Sequence, residues 1–183
     1  DKTLSLRERT NMANAWGADY LLSIHINAGG GTGWENYAYN GKVSSKTLSA
    51  QKTIHNAVMD VIKSYGVRDR GAKRANFHML RESKMPASLS ENMFIDTASD
   101  AKLLKDEKFL DSLARGHVNG LVKVLGLKAK PGGNSPKPGT GGNAIHRVIV
   151  DGKQVGAYSE DQNVLNEVKR HLSSAKDIHV QRK

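Results

Sequence analysis

Cysteine is absent from the 183 residues. Disulfides, thiolate zinc sites and cysteine nucleophiles are therefore excluded. Aromatic residues make up 5% of the chain, too few for a base-stacking platform. No apolar run approaches the roughly 18 residues of a membrane span, and no secretory leader pattern is visible. Acidic residues are the minority charge: 18 Asp and Glu against 28 Lys and Arg, net +10. A surface of that sign favours polyanions such as nucleic acid, anionic membrane or acidic cell-wall polymer. The basic residues are scattered, with only pairs such as Lys73-Arg74, Lys169-Arg170 and Arg182-Lys183. That scatter argues against a dedicated nucleic-acid surface.

Proline and glycine concentrate in residues 128–142, together with Ser and Lys and without a large apolar side chain. Such a segment cannot bury enough surface to fold and reads as a flexible linker. It divides the chain into residues 1–127 and 143–183.

The first part alternates helix and strand patterns. Ser5 and Glu8 have capping-box spacing, opening a helix through Met12, Ala13 and Trp16 that stops near Gly17. The apolar run from Tyr20 to Ile24 predicts a buried strand ending at His25. Residues 34–39 alternate like a half-buried strand, with a turn at Asn40-Gly41. A long helix is predicted over 44–65, with Leu48, Ile54, Val58, Val61 and Ile62 inward. Strand-like runs follow at 76–80 and 87–95, then an amphipathic helix over 107–125 capped by Gly126. This alternation predicts an α/β fold, a layered sheet flanked by helices. In the second part, two short strands flank the hairpin signal Asp151-Gly152, a helix spans 160–173, and residues 178–180 close as a strand. The expectation is a small β-β-α-β C-terminal domain.

Two stretches carry chemistry. The run Ser-Ile-His-Ile-Asn-Ala over residues 23–28 places His25 where a strand gives way to the glycine-rich loop 29–33. Open α/β sheets keep their chemistry at the carboxyl ends of strands. On its own, His25 is either a metal ligand or base, or a hydrogen-bonded structural histidine. Glu91 follows an apolar run in the stretch 88–95. A carboxylate in that setting turns to solvent, pairs, meets a metal or does catalysis. Two strand ends, one with a histidine and one with a carboxylate, supply the minimal kit of metal-assisted hydrolysis.

These motifs resemble the zinc-dependent N-acetylmuramoyl-L-alanine amidases of the amidase-3 type. The shared features are Ser-Ile-His-x-Asn-Ala at 23–28 and Glu-x-x-Phe at 91–94. The pattern Leu-Ser-Leu-Arg-Glu-Arg at 4–9 and the segment 76–81 with Pro86 also match. The likeness spans residues 4 to about 125 and is close to Bacillus sporulation and phage lytic amidases. It implies that His25 is a zinc ligand and Glu91 the general base. In the family mechanism zinc polarises the carbonyl and holds a water, which Glu91 deprotonates. The bond implied is the amide between N-acetylmuramic acid and L-alanine. The family's two further zinc ligands, a His in a Gly-His-Gly loop and a Glu, have no counterpart upstream of His25. The catalytic domain, residues 1–127, is therefore expected to lack its first strand and first zinc ligands. Residues 143–183 resemble the wall-binding modules that end phage endolysins.

The expected partners are peptidoglycan and, through residues 143–183, a secondary cell-wall polymer. A monomer acting at the bacterial cell wall, secreted or released at lysis, is expected, with no nucleic acid. The alternatives are a wall-binding protein without catalysis and a basic nucleic-acid-binding protein. Among the other polar residues, His55 and His117 read as surface or half-buried helix residues. His78 reads as a strand residue leading to Glu91, structural or substrate-positioning. His146, His171 and His179 read as solvated, and Glu82 and Asp96 as loop and surface charges. Arg81 either meets a substrate carboxylate or forms a structural ion pair. The loop 29–33 matches no nucleotide-binding fingerprint and is expected to be a flexible, substrate-side loop.

Overall fold

The computed structural model of the protein describes residues 4–127, 146–150, 153–158, 161–171 and 178–182. The first helix, α1 (Leu6–Trp16), is closed at both ends by sequence-local chemistry. Ser5 Oγ accepts from Glu8 N at 3.2 Å, and the Glu8 carboxylate returns the bond to Ser5 N at 2.8 Å. Gly17 ends the helix in the left-handed region that glycine adopts without strain. Strands β1 (Leu21–Asn27) and β2 (Trp34–Tyr39) follow, then α2 (Ser45–Ile62) with Ser44 as its cap. Next come β3 (Asp69–Ala75), α3 (His78–Arg81) and β4 (Ala87–Phe94). The short α4 (Ala98–Leu103) leads to α5 (Glu107–Leu125), capped by Asp106 and Gly126.

The strands form one mixed sheet in the order β1-β4-β2-β3. The β1/β4 and β2/β3 pairs are parallel, and β2/β4 is antiparallel. Side chains alternate across the sheet, so each face gathers its own residues. One face carries Leu22, Ile24 and Trp34 and packs on α2 and α5 through Ile54, Val58, Ile62, Phe109, Leu113 and Leu121. The two helices approach closely at Gly116 and Gly120. A Cβ at either position would lie 2.7 or 2.8 Å from the Cα of Val58 or Ile54. The other face is covered at one end only, by Ala13 of α1 and Met79 and Leu80 of α3 over Leu21, Ala87 and Leu89. Its other end is left open for polar chemistry.

The C-terminal elements are β5 (His146–Val150), β6 (Lys153–Tyr158), α6 (Asp161–His171) and β7 (Ile178–Arg182). The strands make an antiparallel sheet in the order β6-β5-β7. Val164, Val168 and Val180 join the core cluster that contains Phe109. The expected linker 128–142 and the hairpin turn 151–152 lie outside the described residues.

The structure corrects several expectations. Residues 76–80 are not a strand: β3 occupies 69–75 and residues 78–81 make one helical turn. The strand Asp-Arg-Gly-Ala-Lys-Arg-Ala is an edge strand with no fully buried residue, so it carries no apolar alternation. Met79 and Leu80 plug the core from α3 instead. Leu48, expected inward, is exposed. His55 and His117 are both buried rather than superficial.

Candidate active site

The register across the open face brings three side chains into one row. His25 on β1 is the lateral partner of Glu91 on β4, and Glu91 is the lateral partner of Glu35 on β2. Neighbouring strands lie about 4.8 Å apart, so the three project side by side from the same face. Ser23 Oγ lies 3.0 Å from His25 Nε2. The two sequence-identified residues, His25 and Glu91, are thus adjacent.

Glu35 was not singled out from the sequence. It is 2% exposed and anchors a network. Its Oε1 accepts from Asn27 Nδ2 at 2.9 Å, and its Oε2 from Arg70 Nε at 3.0 Å and from the Lys73 ammonium. Burial alone would raise its pKa, but the hydrogen bonds from Lys73 and Arg70 outweigh that and hold it below the ordinary carboxylate value. The residue leaves one signal in the sequence, a carboxylate alternating with Trp34 and Asn36. Its meaning depends on β2 lying beside β4.

Glu91 is the opposite case. It is half-buried, and its Oε2 is buried with no hydrogen-bond partner. Burial, and then the negative charge of Glu35, push its pKa up to about 7. The same two causes push the Tyr37 hydroxyl up to about 12. A carboxyl group tuned to neutrality, with an uncommitted oxygen on an open face, suits general acid–base work.

The backbone around Glu91 is bent on purpose. The β1/β4 register shifts between His25 and Asn27, so that Asn27 faces Phe94. Met93 supplies the extra residue in the left-handed region, φ 66°. Asn92 fills the irregularity, donating to the His25 carbonyl at 2.8 Å and accepting from Trp34 Nε1 at 2.8 Å. Such bulges redirect side chains beside active sites.

The glycine loop is pinned rather than flexible. Asp96 Oδ2 accepts from Gly29 N at 2.7 Å and Gly30 N at 2.9 Å. Those backbone bonds, Gly29 foremost, hold its carboxyl below the usual value. Buried Asp100 accepts from Thr32 Oγ1, Gly33 N and Phe94 N at 2.7, 2.9 and 3.0 Å.

The remaining candidates stand apart from the row. His78 sits in α3, not in a strand, with Nε2 3.2 Å from Thr10 Oγ1. His117 contacts Leu113 O and Ser90 Oγ on the opposite face. His55 meets Asp69. Arg81 pairs with exposed Glu82 and with Asn76, so its structural reading holds. The side chains of His146, His171 and His179 lie outside what the structure describes. A cavity of about 460 Å³ lined by Tyr65, Met93, Asp100 and Asp106 contains no member of the row.

A family model for N-acetylmuramoyl-L-alanine amidases matches residues 1–123. The chain belongs to the amidase-3 family. It is 48% identical, over 89% of its length, to a sporulation-specific N-acetylmuramoyl-L-alanine amidase of Bacillus subtilis, of which the match covers 56%. An endolysin of Bacillus phage SPP1 is 46% identical over 75% of this chain and 51% of that protein. The chain thus spans about half the length of the curated relatives it matches. Among solved structures, an N-acetylmuramoyl-L-alanine amidase from Clostridium difficile 630 aligns with TM-score 0.62 and 38% identity. That alignment covers 69% of this chain and 68% of that one. The α/β fold of this amidase-3 chain, a mixed sheet flanked by helices, is the fold of those neighbours. No helix among the described residues is long and apolar enough to cross a membrane.

The family's zinc chemistry can be tested against this chain's donors. Three protein ligands are normal for a catalytic zinc. Among the described residues, no group of three His, Cys, Asp or Glu side chains is placed to hold a metal ion. His25 and the uncommitted Glu91 oxygen do not complete such a set.

Proposed function

We propose that residues 1–127 belong to the catalytic domain of a peptidoglycan hydrolase that cleaves the amide between N-acetylmuramic acid and L-alanine. The observation that carries the reading is Glu91, with its free buried oxygen and near-neutral pKa between His25 and Glu35. In this reading Glu91 is the general base. It takes a proton from the attacking water and returns it to the departing amine of L-alanine. The proton therefore starts on water, rests on a Glu91 oxygen and ends on the leaving nitrogen. Burial, and then the charge that Glu35 keeps beside it under the hold of Arg70 and Lys73, make the Glu91 carboxyl basic enough to work near pH 7.

His25 is proposed as one zinc ligand, with its two companions outside the described set. Residues 143–183 are proposed as a wall-binding module on the linker 128–142. A tethered module raises the local concentration of enzyme at its polymer, and a basic tether suits an anionic wall. The site of action proposed is the bacterial cell wall.

The deciding experiment measures clearing of purified cell walls by the full-length gene product with Glu91→Ala. Loss of clearing with an unchanged circular dichroism spectrum is expected. Retained clearing removes Glu91 from the mechanism. A fluorescent reporter fused to residues 141–183 is expected to label Gram-positive walls, and a reporter that stays in solution counts against the module.

A further inference from the structure

Edge strand β3 bends so that two cations reach one carboxylate. On a regular strand, residues three apart point to opposite faces, yet Arg70 and Lys73 both contact Glu35 Oε2. The cause is a register shift in the β2/β3 pair, where Trp34 faces Asp69 but Asn36 faces Ala72. Gly71 takes the bulge in the left-handed region, φ 91°, with its N–H bound to Asp69 Oδ1 at 2.7 Å. Glu35 neutralises one of the two charges, so the network carries an excess of one positive charge on the open face.

The Arg70 guanidinium is also oriented. Nε is held by Glu35, Nη1 lies 3.5 Å from the Thr32 carbonyl, and Cζ lies over the Phe94 ring, 4.9 Å from its centroid. Among the described residues no acceptor meets Nη2, and the side chain keeps 25% of its surface exposed. A guanidinium fixed by its inner edge, with donors left at its outer edge, is built to receive a planar anion.

We propose that Arg70, backed by Lys73, is a specificity residue that binds a carboxylate on the peptide portion of the substrate. The proposal rests on the amidase reading for the identity of that peptide. Two strand spacings of about 4.8 Å separate Glu91 from β3, and an extended peptide advances about 3.4 Å per residue. The carboxylate read by Arg70 thus lies one to three residues beyond the scissile amide.

The test uses the full-length gene product and two synthetic N-acetylmuramoyl peptides. They differ only in whether the residue after L-alanine carries a free carboxylate or a carboxamide. Wild type is expected to favour the acid by about tenfold or more in kcat/KM, the scale of a charge-assisted hydrogen bond. Arg70→Gln is expected to bring the acid-to-amide ratio towards one. Because Arg70→Gln also removes a partner of buried Glu35, Arg70→Lys provides the second reading. It retains the charge opposite Glu35 but loses the planar fork, so the ratio should again fall while the thermal midpoint holds. Equal cleavage of both peptides by wild type overturns the proposal, as does a ratio unchanged in both folded variants. If wild type cleaves neither peptide, the amidase reading fails instead. Calorimetric binding of the two peptides to wild type and Arg70→Lys then decides the Arg70 proposal. Acid-selective binding lost in the variant supports it, and equal or absent binding of both peptides overturns it.

Discussion

Glu35 and Glu91 face each other across the antiparallel β2/β4 pair, yet their carboxyl groups differ in kind. Glu35 is buried, hydrogen-bonded by Asn27, Arg70 and Lys73, and held below its ordinary pKa. Glu91 has an unpartnered buried oxygen and is pushed up to about 7. Two carboxyl groups whose surroundings separate their pKa values are a recurring arrangement in acid–base sites.

That separation costs stability. A carboxyl group whose folded pKa lies above its unfolded value of 4.5 imposes no penalty at lower pH. The penalty grows as pH rises from 4.5 to about 7 and is complete above that. Glu91→Gln removes it. At pH 8 in the presence of a chelator, Glu91→Gln is expected to be more stable than wild type by about 1–2 kcal/mol, after discounting for partial exposure. Urea melts at pH 5 and pH 8 check this. Equal stability of the two proteins at pH 8 contradicts the idea that Glu91 is strained by burial.

Asp100 ties the glycine loop to the end of β4 through Thr32, Gly33 and Phe94. Asp100→Ala leaves two buried backbone N–H groups without an acceptor and is expected to cost about 2–4 kcal/mol. Amide exchange at Gly33 and Phe94 should accelerate relative to α5. Exchange that stays slow at both amides shows that another acceptor replaces the carboxylate.

His117 is fully buried, with Nδ1 2.8 Å from Leu113 O and Nε2 3.0 Å from Ser90 Oγ. Burial lowers its pKa from 6.5 to about 4, against a smaller opposing pull from the Leu113 carbonyl. The unfolded chain therefore binds a proton below pH 6.5 that the folded protein refuses until about pH 4. The stabilisation from neutral His117 is complete above 6.5 and drains away as pH falls towards 4, by up to about 3 kcal/mol. His117→Gln should lose less stability than wild type between pH 7 and pH 4.5. Parallel losses in the two proteins eliminate His117 as the cause.

Gly116 and Gly120 set the spacing of α2 and α5. At Gly120 a Cβ meets the Ile54 Cα at 2.8 Å, and backbone cannot rotate away as a side chain can. Gly120→Ala gains about 1 kcal/mol in helix propensity, but overpacking costs about 1–3 kcal/mol. A net lowering of the thermal midpoint is expected, with Gly116→Ala behaving alike. A raised midpoint in both variants means the helices separate without penalty.

Much of this was legible in the chain. The capping box at Ser5 and Glu8, the apolar face of α5 and the run ending in His25 are local patterns with local causes. His25 and Glu91 could be named because each follows an apolar run, and the structure places both within their strands, before the ends. Glu35 could not, because its importance arises only where β2 runs antiparallel beside β4, a pairing set by tertiary packing. Strand β3 was missed for a related reason. Its edge position and its bulge at Gly71 replace apolar alternation with charges aimed at Glu35. His55 and His117 looked superficial because Asp69 and Ser90, their partners, are distant in sequence.

The strand order β1-β4-β2-β3 also governs when the protein can fold. Strands β1 and β2 are consecutive in the chain but never hydrogen-bond to each other, because β4 lies between them. During synthesis both wait with unsatisfied inner edges until β4 has left the ribosome. Unpaired edges of that kind invite pairing with other chains. Slower synthesis at low temperature, or a holdase chaperone present before β4 emerges, should therefore raise the soluble yield.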